Sequence, residues 1–419
     1  MARHRRGRHG PSHRRVVAAG VVIGLVLGCG LIAAAAIPLP SGPPTLSIGV
    51  STSPPAADLV SLPFPAQRQD GQVAESAVAI PTLGVSLVPG TQQPVPIASL
   101  TKLMTAYVAL RDLPLSPTDT GPSLYVTPAD VAEYKADLRK GESSVVVVAG
   151  EVLDERQLLD GMLVHSANNF ATLLARLVAG GSSEMLVQMN DAAVSLGMTS
   201  TSYADVSGFD PSSQSDARDI LHLSILLMRD PTFAAIVRQT SVVLPVAGVV
   251  TTFTPYLGLP HVVGIKTGTT TAAGGCMVMA YDTLVGGKKI EVIAVVLGQR
   301  EPFGPYQLLK DAGRAALVLA ATTARHVTAW TVTIAGRPVG TLGWPSLSVP
   351  VVPTATIVMP TFPGVASSAS VALHSWGANA VASGTMVATV FASSGAFRAV
   401  SPLVTSGSLA RPTLLQRLR

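Results

Sequence analysis

The stretch Pro94–Leu110, PVPIASLTKLMTAYVAL, decides how the rest of the chain is read. Pro94 and Pro96 make a turn-prone entry to Ile97, Ala98 and Ser99. Beyond it Leu100, Leu103, Met104, Tyr107 and Val108 recur at the three- and four-residue steps of a buried helix. Ser99 then falls at or just inside the helix N-terminus, and Lys102 lies one turn up on the same side. The ordinary role of a serine there is to cap the helix. Two features count against it. The third position after a cap is often Glu or Gln, and here it is lysine. The helix is also apolar nearly all round, so it carries Lys102 toward an interior where an ammonium is costly. A desolvated lysine has a lowered pKa and can act as a neutral base beside a serine hydroxyl. Ser-x-x-Lys is a weak sign alone and gains weight only from partner motifs downstream.

Composition narrows the setting. The 419 residues suffice for two folded domains with extra segments. The formal charge is +5, but Arg3, Arg5, Arg6, Arg8, Arg14 and Arg15 supply six of the positive charges, leaving about −1 for the remainder. The basic character thus belongs to the N-terminal tail, and the folded part has no basis for binding nucleic acid. Cys29 and Cys276 are the two cysteines, one in an apolar run and one in a strand-like run, which argues against a disulfide. No histidines stand at metal-ligand spacing, so neither a metal nor an organic cofactor is expected.

Residues 1–15 read as a basic cytoplasmic tail and residues 16–37 as an apolar run long enough to span a bilayer. Positive charge before the run and none just after it places the remainder outside the cytoplasm. A retained anchor is favoured over a cleaved signal peptide, for which Ala34–Ala36 is the rival cue and which would make the protein secreted. Lipidation at Cys29 is disfavoured because the apolar run continues past it. Residues 38–72, rich in Pro, Ser and Gly, are expected to be an extended spacer lifting a catalytic domain off the membrane.

Residues 73–322 carry the periodicities of a mixed α/β domain. Val73–Val88 reads as paired strands around a Pro81 turn, and Val145–Gly150 as a β-branched run. Helices are expected over Leu153–Leu163, Phe170–Ala179, Glu184–Leu196, Asp216–Met228 and Pro305–Ala321. The first of these delivers Ser166-Ala167-Asn168, whose bland reading is a satisfied turn. His165 beside it reads as a surface or packing residue, and no nucleophile-elbow signature is present. Val262–Thr270 reads as a strand ending in Lys266-Thr267-Gly268, with Thr269 and Thr270 after it. A lone triplet of this kind is a strand with a glycine bulge. The glycine also leaves room for a substrate lying along the strand edge.

Ser99-x-x-Lys102, Ser166-x-Asn168 and Lys266-Thr267-Gly268 occur in this order at long intervals, inside the words ASLTKLMTAYVAL, LLDGMLVHSANNFATLLA and GIKTGTTTAAGGCMVMA. This resembles the penicillin-recognising serine acyltransferases, and within them the low-molecular-mass D-alanyl-D-alanine carboxypeptidases, over roughly Val73–Ala316. The resemblance implies a transpeptidase/β-lactamase-like α/β domain: an antiparallel sheet flanked by helices, with a helical lobe between the first and last motifs. It implies Ser99 as nucleophile, Lys102 as general base and Ser166 as proton relay to the leaving D-Ala. Asn168 would orient Lys102 and the substrate amide, and Lys266 would keep positive potential in the cleft and help hold Lys102 neutral. Thr267 would bind the terminal carboxylate, and the N–H groups of Ser99 and Thr269 would form the oxyanion hole next to Gly268. Peptidoglycan stem peptides ending in D-Ala-D-Ala are the implied substrate and β-lactams the implied covalent inhibitors. Ala167-Asn168-Asn169 stands where many relatives have Gly-Asn-Asp, and Thr269 where some have His; both bear on turnover and antibiotic preference. Arg300 is a candidate second cation for the carboxylate.

Residues 323–419 change to few charges and short alternating runs such as Trp330–Ile334, which suggests a small β-rich domain. Relatives often carry a β-sandwich there, and some end in an amphipathic membrane helix. The Arg411–Arg419 end is too short for one, so anchoring is assigned to the N-terminal run. The leading reading is a D-Ala-D-Ala carboxypeptidase. An endopeptidase using the same groups and an inactive wall-binding protein are the alternatives. A β-lactamase is disfavoured, because Asp205, Asp210 and Asp216 do not form a recognisable deacylation loop.

Overall fold

A computed structural model describes residues 42–56, 61–65, 75–299 and 305–413. The basic tail, the apolar run with Cys29, and Arg300 lie outside the described residues.

The centre is a five-stranded antiparallel sheet ordered Val262–Thr270, Gly274–Val285, Lys288–Gln299, Glu75–Ile80 and Val85–Leu87. Side chains alternate between its faces. Ala77 and Ala79 join the core beneath the helical lobe. Val78 and Ile80 instead pack with Leu319 and Ala320 of the long helix Pro305–Arg325. Both faces are therefore covered, which is why Glu75–Ile80 is buried at every position and does not read as an alternating strand.

The helical lobe contains Lys102–Asp112, Pro128–Lys140, Glu155–Val164, Asn168–Ala179, Ser182–Ser195 and Ala217–Leu227. Local chemistry sets several starts. Thr127 with Asp130 and Asp154 with Gln157 form reciprocal capping boxes. Helix Lys102–Asp112 runs through the middle of the core, with Leu103, Met104 and Val108 fully buried. Each such side chain is worth about 1.5–3 kcal/mol in burial. Among the described residues no single helix is long and apolar enough to cross a membrane.

The C-terminal domain holds a six-stranded sheet ordered Thr45–Ile48, Gly340–Trp344, Leu347–Pro353, Phe397–Thr405, Met386–Ser394 and Ser367–Leu373. Its first strand comes from the segment expected to be a spacer. Thr45–Ile48 pairs antiparallel with Gly340–Gly343. The chain's three tryptophans, Trp330, Trp344 and Trp376, each donate the indole N–H to this segment, at Ser51 Oγ (3.1 Å), Gly42 O (3.2 Å) and Pro44 O (3.1 Å). Leu46, Ile48 and Val50 pack on the C-terminal core. Farther on, Leu62 and Phe64 pack against the five-stranded sheet. The spacer reading is thus corrected for the described part of residues 38–72. A four-residue strand whose partner lies almost 300 residues away leaves little periodicity to read.

Three smaller differences arise from tertiary context. The long helix continues to Arg325, so a boundary at 322/323 falls inside it. Pro128–Lys140 is a full helix that is not among those expected from the sequence. Residues 145–148 form no strand: side chains meet their backbone instead, with Asn169 bonding both the N–H and the C=O of Val145 and Glu151 accepting from Val148 N–H.

Candidate active site

Three segments converge on one cleft of about 670 Å³, lined among others by Ser99, Ser166, Asn168 and Thr267–Thr270. Ser99 lies in the tight turn Ala98–Thr101 that feeds helix Lys102–Asp112, and neither helical start has a side-chain cap bond. Its hydroxyl is therefore not spent as a cap. Ala98 sits at φ 48°, a region L-residues avoid, so packing must hold the turn. Two glycines allow that packing. A Cβ on Gly208, itself at φ +84°, would collide with the Ala98 carbonyl. A Cβ on Gly268 would stand 2.9 Å from Ser99 N and 3.0 Å from Ile97 O. The glycine of Lys-Thr-Gly is thus needed first for the close approach of the motif strand to the backbone of Ser99.

Lys102 is fully buried. Its Nζ lies 3.0 Å from Ser99 Oγ, 2.6 Å from Asn168 Oδ1 and 2.8 Å from Ser207 O. Burial lowers its pKa to about 7, although the carboxylates of Asp205, Glu142 and Asp137 pull the other way. Lys266 is also buried, and its Nζ donates to Ser166 Oγ (2.8 Å) and Thr267 O (3.1 Å). Burial first, and the nearby Lys102 second, push its pKa well below the usual lysine value. Burial is the dominant cause for both amines.

Ser166, at φ 62°, follows the C-terminus of Glu155–Val164, and Asn168 opens the next helix. Ser166 Oγ meets Lys266; among the described residues it makes no hydrogen bond to Ser99 or Lys102. Thr269 Oγ1 is buried in the cleft wall and has no partner among the described residues. His165 keeps the packing role expected of it, with Nδ1 2.7 Å from Thr251 O and its ring against Phe253. No group of three or more His, Cys, Asp or Glu side chains among the described residues could hold a metal ion.

Three contributors are not legible in the sequence. Asn168 Nδ2 donates to Glu142 Oε2 at 2.6 Å. The Ser207 carbonyl accepts from Lys102. Asp205 shapes that carbonyl's loop by accepting from Ser207 Oγ (2.8 Å), Gly208 N (2.9 Å), Phe209 N (2.8 Å) and Ser213 Oγ (2.7 Å). Glu142 lies 26 residues from Asn168 and Ser207 lies 105 from Lys102, so no local spacing announces either.

Known proteins resemble this arrangement. The D-alanyl-D-alanine carboxypeptidase family, peptidase S11, matches residues 74–301. The D-alanyl-D-alanine carboxypeptidase DacB2 of Mycobacterium tuberculosis is 34 % identical over 217 residues, 50 % of this chain and 69 % of that protein. A D-alanyl-D-alanine endopeptidase of Escherichia coli is 31 % identical over 228 residues, 52 % of this chain and 67 % of its own length. In fold, penicillin binding protein 6B of Escherichia coli aligns with a TM-score of 0.55 at 23 % identity, covering 83 % of this chain and 100 % of that one. The Streptomyces K15 DD-transpeptidase aligns with a TM-score of 0.53 at 21 % identity, covering 63 % and 98 %. With more than half its length matched from residue 74 to residue 301, and its three motifs gathered in one cleft, the chain belongs to the D-alanyl-D-alanine carboxypeptidase family of serine peptidases.

Proposed function

We propose that this chain is a serine-type D-Ala-D-Ala carboxypeptidase that removes the terminal D-Ala of peptidoglycan stem peptides through an acyl-serine intermediate. The observation that carries the reading is the fully buried Lys102 amine 3.0 Å from the Ser99 hydroxyl. A base with a pKa of about 7 is largely neutral slightly above neutral pH, where it can take a proton and later return it.

Ser99 Oγ attacks the penultimate D-Ala carbonyl while its proton passes to Lys102 Nζ. The carbonyl oxygen becomes an oxyanion held by the N–H groups of Ser99 and Thr269, donors of a kind worth about 3–4 kcal/mol each. On collapse the C–N bond breaks, and the proton held by Lys102 is relayed through the Ser166 hydroxyl to the departing D-Ala nitrogen, which leaves Lys102 neutral again. Water then attacks the ester, giving a proton to Lys102 that passes to Ser99 Oγ as the acid departs. Thr267 and Thr269 hydroxyls receive the substrate carboxylate, the latter being buried and, among the described residues, unpartnered. The arriving carboxylate also raises the pKa of Lys266, which is then the cation that fixes it. β-Lactams present a strained amide to the same serine and are expected to acylate it.

The Val16–Ile37 run is proposed as a single-pass anchor with the catalytic domain outside the cell membrane; its length and the preceding arginines support this. Deleting residues 1–37 behind an unrelated cleavable signal tests it, since protein still fractionating with membranes contradicts it.

The enzymatic reading is tested with purified protein, its Ser99→Ala variant and a peptide ending in D-Ala-D-Ala. Free D-Ala from the parent alone supports it. Cleavage confined to cross-linked peptides moves the assignment to endopeptidase. No turnover and no acylation by folded protein leaves a wall-binding role.

A further inference from the structure

We infer that Glu142 is a positioning residue for this reaction: it locks the Asn168 amide in the one orientation that leaves the Lys102 lone pair facing Ser99. The inference rests on the carboxypeptidase reading above and adds a residue that none of the three motifs contains.

Lys102 Nζ has three close polar neighbours: Asn168 Oδ1 at 2.6 Å, Ser207 O at 2.8 Å and Ser99 Oγ at 3.0 Å. Two of these are carbonyl oxygens, which only accept. A neutral amine has two N–H bonds and one lone pair. If the two N–H bonds go to the two carbonyls, the lone pair is directed at Ser99, whose hydroxyl then donates to it. That is the arrangement the first proton transfer needs.

It depends on which end of the Asn168 amide faces Lys102. Reversed, the amide would present N–H₂ to the amine and compete with Ser99 for the lone pair. Asn168 cannot choose by itself, because its two ends are nearly the same size. Glu142 makes the choice. Its Oε2 lies 2.6 Å from Asn168 Nδ2, and an ionised carboxylate accepts only, so the N–H₂ end must face it. The lock is rigid. The Glu142 side chain is 6 % exposed, its Oε1 lies 3.5 Å from Lys140 Nζ, and its backbone N–H donates to Asp137 O at 2.9 Å. Asn168 is held from the other side, where its backbone N–H donates to Ser143 O at 2.7 Å.

Glu142→Gln tests this with almost no change of shape, because the glutamine amide can donate as well as accept and so removes the directional constraint. Displacing catalytic groups from reacting geometry costs about 10²-fold. The acylation rate by fluorescent penicillin on the pH plateau is therefore expected to fall about 10- to 100-fold in Glu142→Gln, with the protein still folded. The titratable groups around Lys102 are Asp205, Glu142, Asp137 and Lys266. Losing one anion among them lowers the Lys102 pKa further, so the acid limb of the rate profile moves to lower pH even as the plateau drops. Loss of that charge moves the limb whether or not the amide is locked, so the plateau rate of the folded protein is what reports the lock. The Lys102 titration is also read without turnover, from the side-chain NMR signal of ¹³C-labelled lysine in both proteins. It should fall in the variant. An unchanged plateau overturns the lock whatever the Lys102 titration does, and does so independently of whether the parent releases D-Ala. Glu142→Asp, which keeps the charge on a shorter arm, should recover the position of the acid limb.

Discussion

Lys102 and Lys266, two lysines 164 positions apart in the chain, are both buried behind one cleft, each with its amine on a motif serine: Lys102 on Ser99 at 3.0 Å and Lys266 on Ser166 at 2.8 Å. Burial drives both amines toward neutrality. The site is therefore two amine–hydroxyl pairs side by side.

The first prediction concerns pH. The base must be neutral to take the Ser99 proton, and burial sets the Lys102 pKa at about 7. The acylation rate by penicillin should therefore fall about tenfold per pH unit well below 7 and level off above it. A profile flat from pH 5 to 9 would remove Lys102 from the base role.

A second prediction isolates the close approach of the motif strand. Gly268→Ala places a methyl 2.9 Å from Ser99 N and 3.1 Å from Ala98 Cβ. The shift needed to relieve it moves the nucleophile and the oxyanion donor together, so acylation should drop by about 10²-fold while the thermal midpoint changes little. Stopped-flow labelling and a melting curve on the same sample decide it.

The segment at residues 42–52 should be structural. Deleting residues 1–52 removes an edge strand and the acceptors of all three tryptophans. We expect a red-shifted tryptophan emission and a lowered melting temperature of the C-terminal domain, with Ser99 still acylated because the cleft is untouched. An emission spectrum identical to the parent's would show that the strand is dispensable.

Glu155 gives a pH-dependent stability prediction. It is shut off from solvent with neither carboxylate oxygen partnered among the described residues, and burial raises its pKa from 4.5 to about 7. A folded-state pKa above the unfolded one means the native state binds the proton more tightly. Stability is then highest below pH 4.5 for this group and is lost as pH rises through 7. Glu155→Gln should stabilise the protein at pH 8 by about 1–3 kcal/mol and scarcely at all at pH 4. Equal effects at both pH values would contradict the assignment.

Legibility in the sequence tracks the range of each interaction. Ser99 and Lys102 are three residues apart on one helical face, and Ser166 and Asn168 flank a helix start, so short-range spacing exposes them. Lys266-Thr267-Gly268 shows because a β-branched run ends in a glycine. Glu142 and the Ser207 carbonyl act across 26 and 105 positions and carry no periodicity. The strand Thr45–Ile48 is hidden for the same reason, its partner residues lying at 340–343. The glycine is legible as a requirement but not for its first cause, because the strand's approach to Ser99 N exists only in three dimensions.

The most direct test of the central claim is the site of covalent capture. Full-length protein is incubated with benzylpenicillin, and the intact mass and the proteolytic peptides are measured. One adduct is predicted, on the peptide containing Ser99, and none on the Ser99→Ala protein. An adduct on another residue, or none on folded parent protein, would contradict the account.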